Sequence, residues 1–184
     1  VDLKILNVDV LSNKLVTDNP VNRCYYCKQG VFGTILEAAK NDGMTVILDG
    51  TNASDDADDR PGMKALQEMK VLSPLRMCGY VKSEIRKQSK EAGLFVYNKP
   101  SYACLATRIP TGTEIDEEKI KQVETAETFL FDLGFSDFRV RWMDNKAKIQ
   151  MPESQLQALM EKREVVLEEL SKIFDEVLLD LRTR

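Results

Sequence analysis

Apolar positions Leu3, Ile5, Val8 and Val10 alternate with polar ones, so Leu3 to Val10 reads as a strand. Asn19-Pro20 then breaks the chain. From Cys27 the positions Val31, Phe32, Ile35, Leu36 and Ala39 share one helical face, and Asp42-Gly43 stops that helix. Met44 to Leu48 is a short continuous apolar run, the pattern of a buried parallel strand, and it ends abruptly in Asp49-Gly50-Thr51-Asn52. Strand, helix, strand and polar loop make a βαβ unit, whose ligands bind at the carboxyl ends of strands. An acidic loop, Asp55 to Asp59, precedes a short helix around Met63 to Met69. Val71 to Leu75 suits a further strand, and Val81 to Ala92 is a charged amphipathic helix ending at Gly93. Leu94 to Gly112 has Pro100, Pro110 and little periodicity, and reads as a functional loop with a linker.

The pattern changes at Thr113. Asp116 is placed to cap a helix with the apolar stripe Ile120, Val123 and Leu130, interrupted by Glu127. Phe138 to Trp142 and Ala147 to Met151 alternate on either side of Asp144-Asn145, which predicts a hairpin. Glu153 to Ile173 reads as one amphipathic helix and Val177 to Leu181 as a last strand. Helix, strand, strand, helix, strand is most of a ferredoxin-like α+β layer. The expected organisation is an α/β domain over 1–112 and an α+β domain over 113–184.

Composition narrows the chemistry. The 184 residues include no histidine, which removes Ser-His-Asp and Cys-His catalysis, His-ligated metals and imidazole proton shuttles. With 26 Lys and Arg against 30 Asp and Glu the formal charge is −4, and no basic block suggests nucleic acid as a partner. No apolar run approaches the roughly 18 residues of a membrane span, and Val1 opens no signal-peptide pattern. A reducing, cytoplasmic setting is expected. There the spacing of Cys24 and Cys27 means metal, cluster or thiol chemistry.

Two thiolates three residues apart, with Lys28 beside them, can chelate one soft metal atom; a semi-buried structural pair or a redox dithiol would use the same residues. Zinc would need a second close pair, but Cys78 and Cys104 are 26 residues apart. Cys104 stands in a loop with prolines nearby and Arg108 four residues on, while Cys78 has no charged neighbour. Three thiolates, Cys24, Cys27 and Cys104, leave one iron of a four-iron cluster open. Asp49, Asn52, Asp55 and Asp58 supply acceptors for a ribose or for Mg²⁺ on phosphates, or form a solvated acidic loop. Arg139 and Arg141 share one face of a strand and suit a small anion, with Arg108 a third candidate. Glu127 is either a rim residue or a partner for Arg139 and Arg141.

Together, Asn22-Arg23-Cys24-Tyr25-Tyr26-Cys27-Lys28, Asp49-Gly50-Thr51-Asn52, Arg60-Pro61-Gly62, Ser73-Pro74-Leu75, Lys99-Pro100-Ser101, Cys104-Leu105-Ala106-Thr107-Arg108-Ile109-Pro110 and Arg139-Val140-Arg141 resemble one family over nearly the whole chain. It is the LarE family of ATP-dependent sacrificial sulfur transferases, which serves the nickel-pincer cofactor of lactate racemase and is similar to the PP-loop ATP pyrophosphatases. The resemblance implies a PP-loop-like parallel sheet followed by the small α+β domain. It implies ATP with Mg²⁺ as co-substrate and adenylation of a carboxylate of pyridinium-3,5-biscarboxylic acid mononucleotide. Sulfur would then displace AMP to give a thiocarboxylate. Thr107, Arg108, Glu127, Arg139 and Arg141 fall where this family contacts its nucleotide substrate. Members draw sulfur either from one sacrificed cysteine, here Cys104, or from a [4Fe-4S] cluster on three cysteines. Cys24, Cys27 and Cys104 match the second form. The resemblance also implies a homo-oligomer, with six subunits the implied number, and transient contact with other enzymes of the pathway.

The Ser-Gly-Gly-x-Asp-Ser loop that opens such enzymes does not occur here, so a preceding segment is expected to be missing from this sequence. Two alternatives use the same residues: a tRNA-thiolating PP-loop enzyme, which the acidic balance disfavours, and a Cys-x-x-Cys redox or metal-binding module.

Overall fold

The computed structural model describes residues 3–55 and 61–182. It is mixed in class, with helices and one small sheet, and divides into two compact units, Val1–Lys99 and Pro100–Arg184.

In the first unit a one-turn helix α1 (Lys14–Thr17), capped by the Asn13 side chain, leads through Asn19 into α2 (Arg23–Asn41). The helix begins after Pro20, four residues before Cys27, so both cysteines of the pair lie in its first turns. Gly43 ends it at φ +74°, a left-handed conformation that lets Met44 N–H reach back to the Ala39 carbonyl. α3 (Pro61–Glu68) buries Ala65 and Leu66 and packs against α2. Gly62 makes that approach close: a β-carbon there would stand 3.0 Å from Cδ of Lys28. α4 (Pro74–Met77) and α5 (Lys82–Glu91) come next in the chain.

The parallel sheet expected of this unit is reduced to a single bridge, Leu48 to Leu72, in which Asp49 N–H donates to Leu72 O and Leu72 N–H to Ile47 O. Leu3 to Val10 is not a strand, and Met44, Val46 and Leu48 are more than half exposed rather than buried. Periodicity sets which side chains share a face, but a strand exists only where a second backbone pairs with it. Among the described residues, Leu3 to Val10 has no such partner and Met44 to Leu48 has one bridge.

The second unit has a continuous core. α6 (Glu117–Asp132) starts at Asp116, whose side chain accepts from Lys119 N–H, and it buries Val123, Ala126, Glu127 and Leu130. β1 (Arg139–Met143) and β2 (Lys146–Gln150) form the expected hairpin, with Arg139 opposite Gln150 and Arg141 opposite Lys148. Asp144 and Asn145 both have positive φ, the mark of a type I′ turn. The single helix expected over 153–173 is instead a short 3₁₀ turn and then α7 (Leu156–Glu161) and α8 (Arg163–Leu170). Lys162 leaves the helical path between them, donating its ammonium to Leu133 O and lying over the Phe135 ring. β3 (Glu176–Leu179) pairs directly and in parallel with β2, so the sheet order is β1-β2-β3. A ferredoxin-like layer is split, with another strand between the two that flank its second helix. Here those strands are neighbours, so the unit is an unsplit βαβ joined to a hairpin. Ala126, Leu130, Phe138, Val140, Ala147 and Ile149 form the centre of its core.

Candidate active site

Residues 100–112 belong to the second unit, and what ties them there is the most polar part of its interior. Leu105–Arg108 is a single 3₁₀ turn with Cys104 at its N-cap position. Arg108 points inward, and both its side chain and that of Glu127 are fully buried. The guanidinium Nε donates to Glu127 Oε1 at 2.7 Å and a terminal nitrogen donates to Oε2 at 2.9 Å, a two-pronged ion pair. Glu127 Oε1 also accepts from Val140 N–H at 2.9 Å, which anchors the pair to β1. Glu127 is therefore the arginine's partner and not a rim residue, and its lone pairs are turned to the interior.

Three arginines then hold the backbone of the cysteine loop. The second terminal nitrogen of Arg108 donates to Thr107 Oγ1 at 2.9 Å and, over longer distances, to the carbonyls of Ala103 and Cys104. Thr107 Oγ1 in turn donates to Cys104 O at 2.7 Å. Arg139 donates to Ser101 O at 2.8 Å, and Arg141 donates to Thr107 O at 2.6 Å and to Gln150 Oε1. Arg139 and Arg141 lie two residues apart on β1, and part of what they grip is protein backbone. Above the buried pair lies Tyr102, its ring 5.3 Å from the Arg108 guanidinium and 5.9 Å from that of Arg139. Burial, reinforced by the nearby Glu127 carboxylate, pushes the Tyr102 phenol up to about 12. Cys104 itself is exposed and free. The second unit thus brings together Thr107, Arg108, Glu127, Arg139 and Arg141 around the Cys104 turn. Tyr102 is the member the sequence reading missed; an aromatic two residues before the loop cysteine is its only signal.

In the first unit, Cys24 is exposed and Cys27 partly buried, neither of them in a disulfide, and both lie in the first turns of α2. Tyr25, between them, donates to Glu68 and accepts from Gln29, which fixes the outer face of the turn against α3. Cys78 is exposed and free at the end of α4. Thiol donors suit a soft metal or an iron–sulfur centre, and none of these sulfurs is taken by a disulfide. Among the described residues no three Cys, Asp or Glu side chains are gathered as a metal site.

Asp49 comes directly after the Leu48–Leu72 bridge. Its carboxylate accepts from Ser73 Oγ at 2.6 Å and from Thr51 Oγ1 at 2.5 Å. Burial works to raise its pKa, but the bonds from Ser73 and Thr51 and the positive charge of Lys28 outweigh it and hold the group below its ordinary 3.8. Asn52 donates to Asp55 through both its backbone and its side-chain amide, and Arg76 holds the Asp55 carbonyl. Asp58 lies outside the described residues. The strand-end loop therefore holds an ionised Asp49 beside a turn braced by its own side chains. Ser73 and Thr51 are partners that the sequence reading did not name for it.

No family model matches the chain. It is 37% identical over 171 residues to an uncharacterized protein of Synechocystis, an alignment covering 93% of this chain and 63% of that protein. It is 34% identical over 149 residues to the pyridinium-3,5-bisthiocarboxylic acid mononucleotide synthase of Lactiplantibacillus plantarum, covering 81% of this chain and 54% of the synthase. An uncharacterized protein of Methanocaldococcus jannaschii is 31% identical over 161 residues, or 88% of this chain and 63% of its own length. The chain thus spans between about half and two thirds of the curated relatives it matches. These likenesses define the class: a chain that shares most of its length with a mononucleotide synthase. The chain belongs to the family of that synthase, LarE.

Proposed function

We propose that this protein takes part in ATP-dependent sulfur transfer, converting carboxylates of pyridinium-3,5-biscarboxylic acid mononucleotide to thiocarboxylates in nickel-pincer cofactor biosynthesis. The observation that supports it most is the kinship to the synthase, together with an exposed Cys104 on a turn braced by Arg108, Arg139 and Arg141. The chemistry is consistent with those groups. A carboxylate is a poor electrophile, whereas an acyl adenylate has a good leaving group. The substrate carboxylate oxygen attacks the α-phosphorus of ATP, and the bond to pyrophosphate breaks. A sulfur nucleophile then attacks the acyl carbon, the carbon–oxygen bond to AMP breaks, and a thiocarboxylate remains. Arg139 and Arg141 are assigned to the substrate's phosphate, with Thr107 alongside. Asp49, Asn52, Asp55 and Asp58 are assigned to the nucleotide and its Mg²⁺, for which Asp49 is held in its anionic form.

Cys24, Cys27 and Cys104 are assigned as ligands of a [4Fe-4S] cluster, which would supply a renewable sulfur atom on its open iron. The protein is assigned as a homo-oligomer acting on a small nucleotide, apart from nucleic acid and membrane; among the described residues no helix is long and apolar enough to cross a bilayer. The test is stoichiometry: under anoxic conditions with ATP, Mg²⁺ and the dicarboxylate mononucleotide, one AMP and one pyrophosphate should form for each thiocarboxylate. AMP release with no sulfur in the product would refute the reading.

A further inference from the structure

The second unit's polar interior has a feature that substrate binding does not explain. Glu127 and Arg108 sit at its bottom with every charged atom directed at each other, at β1 or at the cysteine loop. A carboxylate with no exposed surface cannot also meet a soluble substrate. Its atoms instead run in a chain: Val140 N–H and Arg108 Nε both donate to Glu127 Oε1, another Arg108 nitrogen donates to Thr107 Oγ1, and Thr107 Oγ1 donates to Cys104 O. Tyr102 closes the assembly from outside, against both guanidinium groups and the Phe131 ring.

We infer that Glu127, Arg108 and Tyr102 are positioning residues for Cys104, a buried ion pair and its aromatic cover that hold the 101–108 loop in one conformation so that the thiol is presented outward at a fixed place. This deepens the proposed function and rests on it, because the benefit of a fixed thiol is to hold its place in the ligand set that would supply the sulfur. A bare surface loop of eight residues would sample many conformations, and each would have to be excluded again at every turnover. Holding it by its carbonyls leaves the side chain of Cys104 unencumbered. The charge at the base is what makes the hold stiff: with Glu127 neutralised, Arg108 would be a buried cation without its counter-charge, and its stable course is to swing toward water and release the carbonyls.

The test uses the full chain. Arg108 is a trypsin site whose side chain is out of reach while the pair is intact. In Glu127→Gln, cleavage after Arg108 should become about tenfold faster, since cutting tracks the population of the opened loop. Cleavage after Lys148 and Arg163 in the same unit should keep its rate, which general loosening would not allow. Tyr102→Ala, which removes the cover over the Arg108 guanidinium, should also speed cleavage after Arg108, and Tyr102→Phe, which keeps the ring, should protect it as the native residue does. In sulfur transfer, Glu127→Gln and Tyr102→Ala should lower kcat with KM unchanged. Continued resistance at Arg108 in both variants overturns the inference, as does a rise in KM with kcat kept, which would make Glu127 a substrate contact. If the loop opens and kcat holds, Cys104→Ala decides: loss of transfer in that variant overturns the positioning inference, and intact transfer overturns the function assigned to Cys104.

Discussion

Arg108 and Glu127 show how one polar residue on an apolar stripe can be read. Glu127 interrupts Ile120, Val123 and Leu130, and an acid at that position of a core-facing helix needs a buried partner. Pattern alone offered Arg139 and Arg141; in the structure the partner is Arg108, which a 3₁₀ turn aims inward, while Arg139 donates to Ser101 O and Arg141 to Thr107 O and Gln150. Removing one partner strands the other, so Glu127→Ala should destabilise the second unit by about 3–5 kcal/mol. Chemical denaturation monitored by the fluorescence of Trp142, the chain's one tryptophan and a β1 residue, would measure it. Tyr102 gives a second residue-scale prediction. Its raised pKa favours the neutral phenol, so its contribution to stability is complete below 10.0 and is lost as pH rises through about 12. Ultraviolet titration should show one of the five tyrosines ionising last, and Glu127→Gln should bring it part of the way back. Tyr102 was not legible in the sequence because its role comes from two guanidinium groups, one of them 37 residues away.

The elements of the second unit were the most legible, since each rests on local chemistry. Asp116 caps α6 as its position suggests, and Asp116→Ala should cost about 1 kcal/mol in the same Trp142-monitored unfolding. Asp144-Asn145 closes the hairpin because both residues tolerate a left-handed backbone better than most. The path of the chain beyond β3 is set by contacts with residues distant in sequence, which local pattern does not reveal. Asp180 accepts from Gln150 and pairs with Lys148, while its own N–H bonds to Ile149 O, which stitches this segment to β2. Gln150, the backbone N–H of Arg182 and Lys148 hold the Asp180 carboxyl down to about 2, from 3.8. Its stabilising effect is therefore present above 3.8 and lost as pH falls toward about 2. Asp180→Asn should be less stable at neutral pH and should lose less on acidification through that window. The strands of the first unit fared differently. Leu3 to Val10 and Met44 to Leu48 have the right residues, but pairing and burial come from neighbouring backbone, and one bridge at Leu48 is all that these residues provide.

At the scale of the whole molecule the two units divide the candidate chemistry. The first has the Cys24 and Cys27 helix turn and the Asp49 loop; the second has Cys104 on its arginine-held turn. The ordered motifs made the family legible across both, although no single motif would have done so, and the relatives extend well beyond the stretch shared here. The most direct measurement is the mass of the mononucleotide product after anoxic incubation with ATP and Mg²⁺, for the native protein and for Cys104→Ala. The account predicts oxygen-to-sulfur exchange at the carboxylates with the native protein and none with the variant. An unchanged mass with the native protein, or the same exchange in both, would contradict it.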